Sequence, residues 1–290
     1  MPSVPSSRTA QVGDFELTLV RDSVYWWDGG AMFGVVPKTL WSRKVASDEL
    51  NRVPLGFNSY IIRTGDHTIL IDTGGGDKMD ARGRERAKLP PVAEPLPEVI
   101  ARAGIDPESI DIVINSHLHW DHCSGNTVLT PAGAVPAFPR AHYFASRGEW
   151  EHAHERLARD SVAYIDANYD PLLDAGRMTL VEDGHQPAPG VTMRCAPGHN
   201  RDMMVIIAES HGQTFCFLSD MAPFAAHLQP TWLPALDLYP LQSIETKMHW
   251  LAKAVEGNWL CGFGHDPDID FATLAYDSKI RFAVNQSQPG

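Results

Sequence analysis

His117-Leu118-His119-Trp120-Asp121-His122 stands directly after the apolar run Ile112-Val113-Ile114. Two imidazoles spaced by two and then an Asp-His pair make a dense set of nitrogen and oxygen donors. Zinc and its first-row neighbours accept such a set. The chain carries 13 histidines in 290 residues, and three fall in this one window. The window therefore reads as metal-binding rather than as a turn rich in satisfied polar side chains. The apolar run before it reads as a buried strand, Asp111–Asn115, which puts the donors at a strand's C-terminal end.

Three later candidates also end strand-like segments. His199 follows Ala196-Pro197-Gly198, Asp220 follows Phe217-Leu218-Ser219, and His265 follows Phe263-Gly264. Ligands at strand ends sit on rigid supports while the loops open to solvent. Five His and two Asp exceed what one zinc needs and suit two ions that share a bridge. Asp220 can bridge through its two oxygens; a neutral imidazole cannot. No Cys stands among the spaced candidates, so catalysis is favoured over a structural site. Asp72 ends the strand Thr68–Ile71 and precedes Thr73-Gly74-Gly75-Gly76, where it can accept a hydrogen bond from a ligating imidazole.

The rest of the chain reads as strands, metal loop, helices, strands, helix, strand. Strands are expected over Phe15–Val24, Phe57–Arg63, Arg177–Val181, Val191–Ala196, Met203–Ala208, Thr214–Leu218 and Trp259–Phe263. Helices are expected over Pro97–Ala103, Ala145–Arg159 and Leu241–Glu256, the last capped by Gly257. Asp28–Gly34 reads as a Gly-rich loop, and His152 and His154 as surface residues of a polar helix. The plan suits an α+β chain with two sheets packed face to face and helices outside. One domain over 1–290 is expected, with a loose N-terminal arm at 1–12 and a loose tail at 285–290.

Composition bounds the function. Lys+Arg 24 against Asp+Glu 36 gives −12, which lends no general attraction for nucleic acid or an anionic membrane. No apolar run reaches membrane-spanning length. The start, Met-Pro-Ser-Val-Pro-Ser-Ser, lacks the apolar core of a secretion signal, so a cytoplasmic protein is expected. Cys123, Cys195, Cys216 and Cys261 are scattered and read as free thiols.

The window, with Gly198-His199, Ser219-Asp220 and Gly264-His265, resembles the metallo-β-lactamase superfamily of hydrolases. The likeness runs from about Phe57 to His265 and implies an αββα sandwich. It also implies that His117, His119 and His199 hold one metal, that Asp121, His122 and His265 hold a second, and that Asp220 bridges. Asp72 matches the family's early Asp beside the ligands. Two Zn²⁺ per chain are expected, with other divalent first-row metals as substitutes. The best-known β-lactamase group has Cys at the position of Asp220 and no His at that of His122, and this chain departs on both. Nuclease members carry larger nucleic-acid-binding additions, and flavodiiron members an acid at the position of His119. Neither pattern fits.

Asp28–Lys38 and His117–Gly125 look like the quorum-quenching N-acyl-homoserine lactonase branch. The implied reaction opens a lactone ring by attack of a metal-bridging hydroxide. Asp220 and Asp121 serve the centre, and Tyr239 is the candidate for orienting the carbonyl. An organophosphate triesterase or aryl esterase of the methyl-parathion-hydrolase type is the alternative, and a glyoxalase II-like thioesterase a further one. Trp26, Trp27, Phe33, Trp120, Phe224, His227 and Trp232 are the candidates for an apolar substrate pocket, against a plain role in the core. The expected partner is a small, neutral, partly apolar ester or lactone, bound by a monomer or homodimer.

Overall fold

A computed structural model describes residues 8–91, 94–278 and 281–285. The described residues fall into two compact units, one within Met1–Ser23 and Phe57–Glu182, the other within Val24–Gly56 and Asp183–Gly290.

The chain begins with β1 (Arg8–Val12) and β2 (Phe15–Asp28), which pair antiparallel. Arg8–Val12, expected in a loose arm, is thus an ordered edge strand; its backbone groups are taken up by β2. The short helices α1 (Gly29–Phe33) and α2 (Lys38–Trp41) follow, in the second unit. Asp28–Gly34 is therefore not simply a loop. Asp28 Oδ1 accepts the Gly30 and Ala31 N–H groups at 2.8 and 3.1 Å, and this cap starts α1.

The chain returns through β3 (Arg52–Arg63) and β4 (Thr68–Ile71), joined antiparallel. After α3 (Ala81–Arg86) and α4 (Leu96–Arg102), β5 (Ile112–Ile114) pairs parallel with β4. Its three residues are all buried, as a central parallel strand requires. Next come α5 (Trp120–Cys123), the hairpin β6 (Thr127–Thr130) and β7 (Gly133–Pro136), β8 (His142–Ser146), α6 (Arg147–Glu155), α7 (Asp170–Asp174) and β9 (Met178–Val181). The first sheet has the order β1-β2-β3-β4-β5-β8-β9. Ile61, Leu70, Val113 and Tyr143 from its strands share a core with Val99 and Ile100 of α4, Ala153 of α6 and Leu172 of α7. The expected helix from Ala145 starts at Arg147 instead; Ala145 and Ser146 finish β8, and the Ser146 hydroxyl accepts the Glu149 N–H. His152 is buried rather than on the surface, because Asp160 Oδ2 lies 2.6 Å from its Nε2.

The second unit holds β10 (Val191–Cys195), β11 (Met204–Ser210), β12 (Gln213–Phe217), α8 (Pro240–Glu256), β13 (Leu260–Gly262), β14 (Ala272–Ser278) and β15 (Arg281–Val284). They form a six-stranded sheet in sequence order, with β12 and β13 parallel. Trp250, Leu251 and Ala254 of α8 pack on Val205, Ile207, Cys216, Leu218 and Cys261. Gly257 caps α8, its N–H donating to Lys253 O at 2.8 Å. The β6–β7 hairpin, β14 and β15 had no clear sequence signal, since they are short and largely exposed on one face. Of the expected loose tail only Asn285 is described; 286–290 lie outside the described residues.

Gly198 shows how tightly the second unit is built around one donor. Its φ is 142°, and a Cβ there would lie 2.5 Å from Ser243 Cα and 2.6 Å from Ser243 N at the start of α8. Gly198→Ala combines backbone strain with overpacking. It is expected to lower the unfolding free energy by roughly 2 kcal/mol or more, measured by urea denaturation. A midpoint equal to wild type would contradict this packing.

Candidate metal centre

In the first unit, the chain leaves β5 at Ile114 and turns directly into the donor window. His119 precedes α5, and its carbonyl accepts the N–H groups of His122 and Cys123 at 3.0 and 3.2 Å. This turn brings the rings together: the His117 centroid lies 4.0 Å from that of His122 and 4.6 Å from that of His119. Asp121, half-buried, occupies the first turn of α5.

Asp72 organises these rings. It follows β4 with φ 54°, and its own N–H donates to Ile114 O at 2.9 Å. Its Oδ1 accepts the Ser116 N–H at 2.7 Å. Its Oδ2 accepts the Ser116 hydroxyl at 2.7 Å and lies 2.8 Å from His122 Nδ1. Because the Ser116 hydroxyl gives its proton to Asp72, it is an acceptor toward His117 Nδ1, 3.1 Å away. Both imidazoles are thereby held as Nδ1–H tautomers with the Nε2 lone pair available. The glycines after Asp72 allow a close approach. A Cβ on Gly76 would lie 2.5 Å from Ser124 O, and one on Gly125 2.1 Å from Thr73 O.

In the second unit, Asp220 lies in the 3₁₀ turn Ser219–Met221 at the end of β12. His199 Nδ1 is 3.0 Å from Asp237 Oδ1, and His265 Nδ1 donates to Gly56 O at 2.9 Å. Carbonyl and carboxylate oxygens both call for an Nδ1 proton, so each Nε2 carries a lone pair. Yet His199 Nε2 lies 3.4 Å from Asp220 Oδ2, and His265 Nε2 lies 3.2 Å from Asp220 Oδ1. Lone pairs set against a carboxylate repel unless a cation stands among them. This donor chemistry fits a divalent metal shared through Asp220.

Asp237 has no signature in the sequence. It sits in a Pro-interrupted stretch with no spacing signal, and only its contact with His199 reveals it. Lys247 of α8, wholly buried, donates to Trp232 O at 2.6 Å and braces the same stretch. Burial pushes its ammonium down to about 7, with Asp237 acting in the opposite sense.

The candidate pocket residues divide. Phe33, Phe224, His227 and Trp232 come together in the second unit, joined by Trp41, which was not anticipated. Phe33 stacks on Trp41 at 4.8 Å and on His227 at 4.9 Å, and meets Trp232 edge-on at 6.1 Å. Phe33, Phe224 and His227 are fully buried. Trp26 and Trp27 lie near the end of β2, where Trp27 meets Tyr25 edge-on at 6.4 Å. Trp120 stands edge-on to Phe57 at 5.8 Å in the first unit. Tyr239 precedes α8 and is 38% exposed. A further donor group, His154, Asp166 and Asp170, lies toward the surface; there Arg156 pairs with Asp166, so a cation is already present.

Comparison with known proteins gives a consistent picture. Residues 52–248 match the Metallo-beta-lactamase superfamily. An N-acyl homoserine lactonase of Bacillus sp is 26% identical over 160 residues, 52% of this chain and 57% of that protein. The chain thus spans a little over half the length of such Bacillus relatives. N-acyl homoserine lactonase AiiB of Agrobacterium fabrum is 28% identical over 249 residues, 80% of this chain and 86% of the relative. A probable metal-dependent hydrolase from Staphylococcus aureus superposes with a TM-score of 0.86 at 27% identity, covering 97% of this chain and 100% of that one. AidC, a dizinc quorum-quenching lactonase solved with its product, shares the fold at TM-score 0.77 and 15% identity, covering 99% of each chain.

Two expectations follow from the geometry. Asp237→Asn keeps an acceptor for His199 but removes the charge, and should weaken zinc affinity by about 10- to 100-fold in chelator competition. Unchanged affinity would remove Asp237 from the centre. The second concerns pH. Burial above all, then the Lys247 charge, lowers the His227 imidazole from 6.5 to about 3. The folded state therefore keeps His227 neutral, while the unfolded chain takes up a proton below about pH 6.5. Its contribution is fully present above that pH and is lost toward pH 3, at about 1.4 kcal/mol per pH unit. Urea unfolding of His227→Phe should show a shallower loss from pH 6.5 to 4.5 than wild type; parallel curves would contradict it.

Proposed function

Because the chain belongs to the Metallo-beta-lactamase superfamily and has its α+β fold, we propose that it is a dinuclear-metal hydrolase that opens the ester ring of N-acyl-homoserine lactones. The two units act together as one metallo-hydrolase domain in this reading. The observation that carries the metal reading is the pair of Nε2 atoms, from His199 and His265, set against the two oxygens of Asp220. The lactone reading rests on the lactonase relatives, above all the one matched over 86% of its length.

His117, His119 and His199 would hold one ion and Asp121, His122 and His265 the other, with Asp220 serving both. When bound, the metals supply a nucleophile active at neutral pH and a Lewis acid for the ester carbonyl. The chain's own groups do the remaining work. Asp72 and Asp237 keep the Nδ1 protons of His122 and His199 in place, so that Nε2 stays a donor. Asp220 would pass the proton released by the attacking water from one of its carboxylate oxygens to the ring oxygen as the acyl C–O bond breaks. The leaving group stays tethered, so this transfer completes within the site and yields the ring-opened acid. The substrate is small, neutral and partly apolar, and the enzyme is cytoplasmic. Among the described residues no helix is long and apolar enough to cross a membrane.

A substrate panel on the zinc-loaded protein tests the reading. It holds short- and long-chain acyl-homoserine lactones, aryl esters, paraoxon-like triesters and S-lactoylglutathione. Each buried CH₂ contributes about 0.8 kcal/mol, so even a half-buried acyl chain should raise kcat/KM severalfold between short and long homologues. Release of free homoserine lactone, or rapid turnover of triesters with inert lactones, would overturn the substrate assignment. Asp220→Asn should lose bound metal and cut kcat far more than it changes KM; full turnover with two metals retained would overturn the shared-ligand role.

A further inference from the structure

Glu149 is the second carboxylate aimed at the donor window, and no motif announces it. It lies in the first turn of α6 and is fully buried. Its Oε1 accepts the Leu118 N–H at 3.0 Å and the Tyr164 hydroxyl at 3.0 Å. Leu118 stands between His117 and His119, so this peptide sets the angle between the two rings. Its other end is held too: the Cys123 thiol donates to Leu118 O at 3.3 Å. Tyr164 extends the device to the ring itself. Its ring meets His119 at 4.9 Å and 64°, and on another side meets His152 at 5.8 Å, where His152 is fixed by Asp160. Asp72 reaches His122 directly and His117 through Ser116. Glu149 approaches the other end of the window, through the Leu118 peptide and the Tyr164 ring.

We propose that Glu149 is a positioning residue for metal binding: it fixes the Leu118 peptide between His117 and His119 and, through Tyr164, the plane of the His119 ring. The inference rests on the metal reading above. A neutral core side chain of similar size would fill the space but would release both the peptide and the tyrosine. The spacing of the two donor nitrogens would then loosen without loss of the fold.

The test uses the full chain loaded with zinc or cobalt. Glu149→Leu should fold, by circular dichroism, but bind zinc about 10- to 100-fold more weakly in chelator competition. Its cobalt form should show shifted visible bands, and kcat should fall with KM little changed. Glu149→Gln keeps an oxygen at the same place and should recover most of the zinc affinity. Tyr164→Phe should leave zinc stoichiometry intact and shift the cobalt bands. If Glu149→Leu does not fold, the other two variants decide. Wild-type zinc affinity and cobalt spectra in folded Glu149→Leu, or unshifted bands in Tyr164→Phe, would overturn the proposal. His117→Ala separates the two readings. Loss of zinc there with none in Glu149→Leu refutes the positioning role alone, whereas two zincs retained in His117→Ala refutes the metal reading itself.

Discussion

The Nδ1 hydrogen bond is the constraint on which the candidate centre depends. A neutral imidazole has one proton for two nitrogens, and the atom that keeps it cannot donate to a metal. Asp72 holds that proton on His122, Asp237 on His199, and the Gly56 carbonyl on His265. Each choice leaves Nε2 as the donor and also fixes the ring plane, because the hydrogen bond is directional. In the second unit the consequence is plain: two lone-pair atoms stand 3.2–3.4 Å from the same carboxylate.

The folds of the two units serve this constraint in the same way. Each set of donors follows strands of its own sheet, β5 in one unit and β10, β12 and β13 in the other, so the donor backbone leaves a rigid support. The orienting groups then come from elsewhere in the same unit. Asp72 is 50 residues from His122, and Asp237 is 38 from His199. Close backbone contact at Gly76 and Gly125 keeps the Asp72 turn against the donor window, and Gly198 allows α8 to approach His199.

The candidate donors of the window are legible because their spacing is local and their chemistry unusual: three histidines and an aspartate in six residues have few structural uses. Strands β5 and β12 were legible as short apolar runs. Asp237 and Glu149 were not, because a single acid in a loop or a polar helix looks like surface until tertiary contact buries it. His152 was misread for the same reason. Asp28–Gly34 looked like a loop because three glycines in seven residues disfavour helix, and only the Asp28 side-chain cap offsets that cost. The β6–β7 hairpin, β14 and β15 lacked alternation strong enough to register. Phe33, Phe224 and His227, pocket candidates by residue type, stack together and are buried.

The most direct test is diffraction from zinc-loaded crystals, with anomalous data collected across the zinc edge. Two zinc peaks per chain are expected, at roughly 2.0–2.1 Å from the Nε2 atoms of His117, His122, His199 and His265, with a ring nitrogen of His119 on one and Asp220 oxygen on both. A single peak, bonding through Nδ1 of His117, His122, His199 or His265, or zinc held instead at His154, Asp166 and Asp170 would contradict the account.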